Sequence, residues 1–140
     1  MAKLLSDDKM KQLLLECKTI AVVGLSDKPH RDSFKVAQYM QNQGYRIIPV
    51  HPRVSEVLGE PAYKTLADIP DKIDLVNVFR KSEETPAVVE QAIALKPQAV
   101  WLQLGISNHE AANIAERAGI DFVQDRCIKV EHARLLGNGK

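Results

Sequence analysis

The chain has 140 residues, 45% of them hydrophobic and 26% charged, which is ordinary globular usage and enough for one domain with its own core. A formal net charge of +1 offers no bulk attraction to nucleic acid or to an anionic membrane. No apolar run approaches the roughly 18 residues that span a bilayer, and Asp7, Asp8, Lys9, Lys11 and Glu16 interrupt the N-terminal stretch too often for a secretory signal. The two cysteines, Cys17 and Cys127, form no CxxC or metal-type spacing, so reduced thiols in a cytoplasmic protein are the expectation.

Leu4, Leu5, Met10, Leu13, Leu14 and Cys17 recur at helical spacing and predict an N-terminal amphipathic helix, capped by Ser6 or Asp7. Thr19–Gly24 is a short, wholly apolar run rich in β-branched residues, as a strand buried on both faces requires. A helical pattern begins near Phe34, with Asp32 or Ser33 as its cap, and stops at Gly44. Tyr45–Val50 is a second strand, ended by His51-Pro52. Arg53 to Pro70 reads as irregular, with a turn at Gly59 and Pro61 and a short helix near Thr65–Ile69. Asp74–Phe79 is the third strand. Ser82 is placed to cap a helix reaching about Lys96, with Pro86 early enough to be tolerated. Ala99–Leu104 is the fourth strand, Asn108–Ala118 a helix, Ile120–Gln124 the fifth strand and Ile128–Leu136 a closing helix. Gly137 to Lys140 are expected to fray.

Strands alternating with crossover-length helices predict an α/β, Rossmann-like, doubly wound five-stranded parallel sheet with helices on both faces. The order 3-2-1-4-5, with its switch point between the first and fourth strands, is the expected topology. Ligand then binds over the carboxyl ends of the strands. Those ends carry Gly24-Leu25-Ser26, His51-Pro52-Arg53, Phe79-Arg80-Lys81, Gln103-Leu104-Gly105 and Asp125-Arg126-Cys127.

Gly24 and Ser26, followed by Lys28, His30 and Arg31, read either as a phosphate loop before a helix N-terminus or as a solvated basic turn. The loop lacks the second and third glycines of the dinucleotide fingerprint. No carboxylate follows the second strand to hold ribose hydroxyls, which disfavours NAD. Arg53 at that place suits a ribose phosphate, as in NADP or coenzyme A, or an ion pair with Glu56. Phe79 is either a core residue or the wall of a base pocket. Arg80 adds a further cation at the same edge, Gln103 an amide and Gly105 a close-approach backbone. Trp101 and Cys17 read as core. The four histidines show no metal-ligand spacing, and no GxSxG or Walker lysine pattern is present, so neither metal nor catalytic residues are indicated.

Five stretches carry a resemblance: Ala21–Lys28, Gln43–Pro52, Asp74–Arg80, Val100–Gly105 and Asp125–Lys129. Together they make the chain similar to the stand-alone CoA-binding-domain proteins, a family that resembles the N-terminal domain of the succinyl-CoA synthetase α subunit. The resemblance implies coenzyme A or an acyl-CoA lying across the strand ends. Gly24, Ser26, Lys28 and Ser33 would meet the diphosphate, Pro52 and Arg53 the nucleotide, and Phe79, Arg80, Gln103 and Gly105 the rest of the groove. His51-Pro52 departs from the Asn-Pro that such proteins often carry. The synthetase's phosphohistidine domain has no counterpart in this chain, so ligase activity is not implied. A single domain over residues 1–140 that binds CoA without catalysis is the leading reading; an NADP-dependent oxidoreductase and a nucleotide-sensing regulatory protein are the alternatives.

Overall fold

The computed structural model describes residues 5–137; residues 1–4, with Leu4 of the predicted first helix, and residues 138–140 lie outside the described residues. Helix α1 (Asp7–Glu16) leads into β1 (Thr19–Val23), α2 (Asp32–Asn42) and β2 (Arg46–Val50). A small hairpin of β3 (Glu56–Val57) and β4 (Glu60–Pro61) and a single 3-10 turn at Leu66–Asp68 precede β5 (Leu75–Val78). The chain continues through α3 (Thr85–Ile93), β6 (Ala99–Leu102), α4 (His109–Arg117), β7 (Asp121–Val123) and α5 (Ile128–Leu136). Among the described residues no helix is long and apolar enough to cross a membrane.

The five-stranded sheet is parallel throughout and runs β2-β1-β5-β6-β7. This corrects the expected order: the second long strand is the edge, and the third lies beside the first. The reason is Pro49. Its carbonyl faces away from β1 and accepts the Tyr63 N–H at 3.0 Å, so the N–H it lacks also belongs to that outer side. A proline in a parallel strand is tolerated at such an edge and not between two partners. Asp74 sets the register of β5 on β1, its carboxylate accepting the Lys18 and Thr19 N–H groups at 2.9 and 3.0 Å. The switch point therefore falls between β1 and β5.

Alternate residues of each strand face opposite layers. Ala21, Val23, Val76, Val78, Val100 and Leu102 pack with α3, α4 and the crossover residues Leu66, Ile69 and Ile73. Ile20, Val22, Ile47, Leu75 and Trp101 pack with α1, α2 and α5. Both layers are closed, which is why the strands read as unbroken apolar runs.

Caps differ from expectation at two helices. Ser6 caps α1 and Asn108 caps α4 through their side chains, accepting from Lys9 and Ala111 N–H. In α2 the N-cap is Arg31, without a side-chain cap, because the Ser33 hydroxyl turns back to accept the Ser26 N–H at 3.1 Å. Ser82 likewise does not cap α3. Its hydroxyl accepts the Ser107 N–H and its carbonyl the Asn108 side chain, tying the β5–α3 loop to the β6–α4 loop.

Candidate functional site

The first strand ends in a crowded place. Gly24 donates its N–H to the Val50 carbonyl at 2.8 Å on one side, while Phe79 N–H meets the Val23 carbonyl at 2.8 Å on the other. Its φ is +87°, and a Cβ there would lie 2.5 Å from the Phe79 carbonyl oxygen. Glycine is therefore required twice, for the left-handed backbone and for the close approach. Beyond it, Lys28 N–H donates to Ser26 Oγ at 3.0 Å and Arg31 N–H to the Lys28 carbonyl at 3.0 Å, folding the basic loop into a compact turn. The uncapped α2 N-terminus opens beside this turn. Such an end presents backbone N–H groups and a partial positive charge to an anion.

Two pockets flank Gly24. One, of about 510 Å³, is lined by Gly24, Ser26, Ser33 and Phe79, together with His30, Arg31, Asp32 and His51. The other, of about 480 Å³, lies toward α3 between Val23, Val50, Pro52, Leu66, Arg80 and Val88, with Lys64 and Thr65 at its margin. The first offers hydrogen-bond donors and cations, the second mainly apolar wall. Their chemistry suits a phosphate-bearing group and a planar base respectively. Arg80 stands at the second pocket, where Nε donates to Glu84 at 2.8 Å with both side chains half-exposed. Arg53 is exposed and, among the described residues, makes no ion pair with Glu56 or any other acid. Its N–H donates to His51 Nδ1 at 3.1 Å.

Gly24, Ser26, Ser33 and Phe79 thus come together at one pocket and Pro52 and Arg80 at the other. Lys28, Arg53, Gln103 and Gly105 line neither. Gln103 is buried, and its Oε1 accepts the Asn77 amide and the Ile128 N–H, both at 3.3 Å. Gly105 donates its N–H to Asp125 at 2.7 Å. These two hold the β6 and β7 ends to α5. The residues that sequence reasoning missed are Lys64, Thr65 and Glu84. Lys64 and Thr65 follow a hairpin that carries no strand signal, whereas Glu84, four residues after Arg80, is a helix-type charge pair open to recognition.

The CoA binding domain family matches residues 18–133. The chain belongs to that family. It is 44% identical over 128 residues to the uncharacterized protein YneT of Bacillus subtilis, covering 91% of this chain and 95% of YneT. It is 39% identical over 129 residues to the alpha subunit of the ADP-forming acetate–CoA ligase II of Pyrococcus furiosus, covering 83% of this chain but 28% of that subunit. A solved structure of a hypothetical protein from Pyrococcus horikoshii superposes with a TM-score of 0.92 at 44% identity, covering 95% of this chain and 94% of that one. The chain thus matches nearly the whole of YneT but only about a quarter of the much longer ligase subunit.

The cysteines separate cleanly. Cys17 is buried, with its thiol directed to Gln98 Oε1 at 3.5 Å, and burial pushes the thiol pKa up to about 12, helped by the nearby Asp74 and Glu16 carboxylates. Cys127 is half-buried at the N-cap of α5. Because the thiolate is the reactive form, iodoacetamide at pH 8 should add one group, at Cys127. Intact mass measurement of Cys127→Ser should then find none; a second adduct on the folded protein would contradict the burial of Cys17.

Proposed function

We propose that this protein is a cytoplasmic single-domain module, spanning residues 1–140, that binds coenzyme A or an acyl-CoA across the carboxyl ends of its sheet without catalysis of its own. The observation that carries this reading is the pair of pockets at the β1 end, one lined by Gly24, polar and cationic beside an uncapped helix N-terminus, the other lined by Val23 and mainly apolar, in a chain of the CoA-binding-domain family. In it Gly24, Ser26, Lys28 and Ser33 serve the diphosphate, Pro52 and Arg53 the nucleotide, and Phe79 and Arg80 the walls between. Gln103 and Gly105, which line neither pocket, hold the strand ends that frame the groove. The relation to succinyl-CoA synthetase rests on the shared motifs, and the acetate–CoA ligase activity of the longer relative is not carried over.

Isothermal titration tests the reading. Coenzyme A should give a saturable heat. Arg80→Ala removes a half-buried cation and leaves Glu84 facing the ligand, a loss of about 1.5–3 kcal/mol, or roughly tenfold and upward in Kd. Arg53→Ala removes an exposed cation and should cost under about 1 kcal/mol, an effect that 0.5 M salt erases. Flat heats with both CoA and acyl-CoA refute the reading. The NADP alternative predicts a change in nicotinamide fluorescence on titration of NADPH, which a CoA module does not produce.

A further inference from the structure

One side chain of the polar pocket, His51, has no part in the binding roles assigned so far. It occupies the β2 end and is held in a defined orientation: Nδ1 accepts the Arg53 N–H at 3.1 Å. That bond fixes the neutral tautomer with its proton on Nε2. Among the described residues Nε2 has no hydrogen-bond partner, and the ring lines the pocket with Ser26, His30, Arg31 and Ser33.

We propose that His51 is the group through which this pocket reads ligand charge: as a phosphate ester binds, the ring takes a proton from the solvent at Nδ1, releasing the Arg53 N–H, and the imidazolium donates from Nε2 to a phosphate oxygen. The proposal rests on the phosphate-binding reading of this pocket. The charges around the ring account for the coupling. Partial burial holds His51 below the usual imidazole range, the cations Arg53 and Arg80 add to that, and Asp27 opposes it. The same pocket also holds His30, Arg31 and Asp32, and Glu84 already engages Arg80. Without a ligand, burial and after it the cations outweigh Asp27 at His51, so the ring stays neutral near pH 7. A phosphate brings negative charge to that place and reverses the balance.

The sign distinguishes this from the ligand's own titration. A phosphate monoester with a second pKa near 6 tends to lose its proton on meeting cations, so it releases protons on binding. His51 takes one up. Net proton uptake is therefore diagnostic of a histidine of this pocket, which holds His30 as well as His51, and its loss in His51→Asn assigns it to His51.

Two measurements test it. In the first, coenzyme A is titrated at pH 7 in two buffers of different ionisation enthalpy. Net uptake is expected for the wild type, and its loss is expected for His51→Asn, which can still accept the Arg53 N–H. With 3′-dephospho-CoA, retained uptake assigns the diphosphate as the partner, and lost uptake assigns the 3′-phosphate. Heat without uptake, or equal uptake in His51→Asn, overturns the proposal while CoA binding stands. In the second, the imidazole NMR signal that disappears in His51→Asn is followed against pH with and without inorganic pyrophosphate. Its midpoint should rise by about one unit or more. A flat CoA titration refutes the CoA reading alone, and the pyrophosphate experiment still decides the role of His51: an unmoved midpoint ends it.

Discussion

Gly24→Ala is expected to abolish measurable CoA binding and to lower the unfolding free energy by about 2–5 kcal/mol, the sum of a left-handed backbone cost and an overpacking cost. The added methyl would sit 2.5 Å from the Phe79 carbonyl oxygen and 3.2 Å from Arg80 Cδ. The Arg80 side chain can move aside, but the carbonyl cannot do so alone. Phe79 N–H is bonded to Val23, and Gly24 N–H to Val50, so relief requires three strand ends to spread. Spreading them displaces Arg80 from one pocket and the Ser26 turn from the other. Gly119→Ala is the matched control, with φ +74° and nothing within 4 Å of its Cβ. Urea unfolding should place that control about 1–2 kcal/mol below wild type with unchanged CoA affinity. Equal losses in the two variants would mean that backbone conformation, and not the close approach, makes Gly24 necessary.

Much of the architecture was legible because each layer buries its strands. Thr19–Val23, Leu75–Val78 and Ala99–Leu102 contain almost no polar residue, and short apolar runs of this kind, alternating with helical patterns, are what a strand covered on both faces produces. Strand order was harder, since it depends on partners and not on composition. Even so, Pro49 inside the second strand was a visible sign of an edge, and it excludes the interior position that the order 3-2-1-4-5 would give it. Of the β3–β4 hairpin only the turn at Gly59 was legible, and its two short strands were not. Its turn uses Leu58 at φ 54° before Gly59 at φ 78°, and a leucine in the left-handed region carries none of the usual Asn-Gly signal.

The site divides along the same line. Residues whose role comes from the backbone next to them, such as Gly24 and Ser26, could be read locally. Gln103 could not, because whether an amide faces ligand or core depends on Asn77 from a neighbouring strand and on the α5 backbone. Ser33 is intermediate. It sits at the helix start as expected, but the Ser26 N–H seven residues earlier takes its hydroxyl, and the helix end is left open toward the pocket.

Trp101 separates stability from binding. It is fully buried in β6, and its Nε1–H donates to the Arg126 carbonyl at 2.8 Å, holding the turn that leads into α5. Trp101→Ala should cost about 3–5 kcal/mol, a large share of the roughly 5–15 kcal/mol typical of a domain, and leave the protein partly unfolded at about 37 °C. Trp101→Phe keeps most of the apolar contact and loses the hydrogen bond, for about 1–2 kcal/mol and a Tm lowered by roughly 3–6 °C. Arg126 lines neither pocket beside Gly24, so the folded Phe variant should keep its CoA affinity within about twofold, well inside the tenfold that about 1.4 kcal/mol would give. Calorimetry on both properties decides it. If Trp101→Phe weakens CoA binding as much as Arg80→Ala does, the ligand must reach across β6 to the Asp125–Cys127 turn, and the groove is longer than the two pockets beside Gly24.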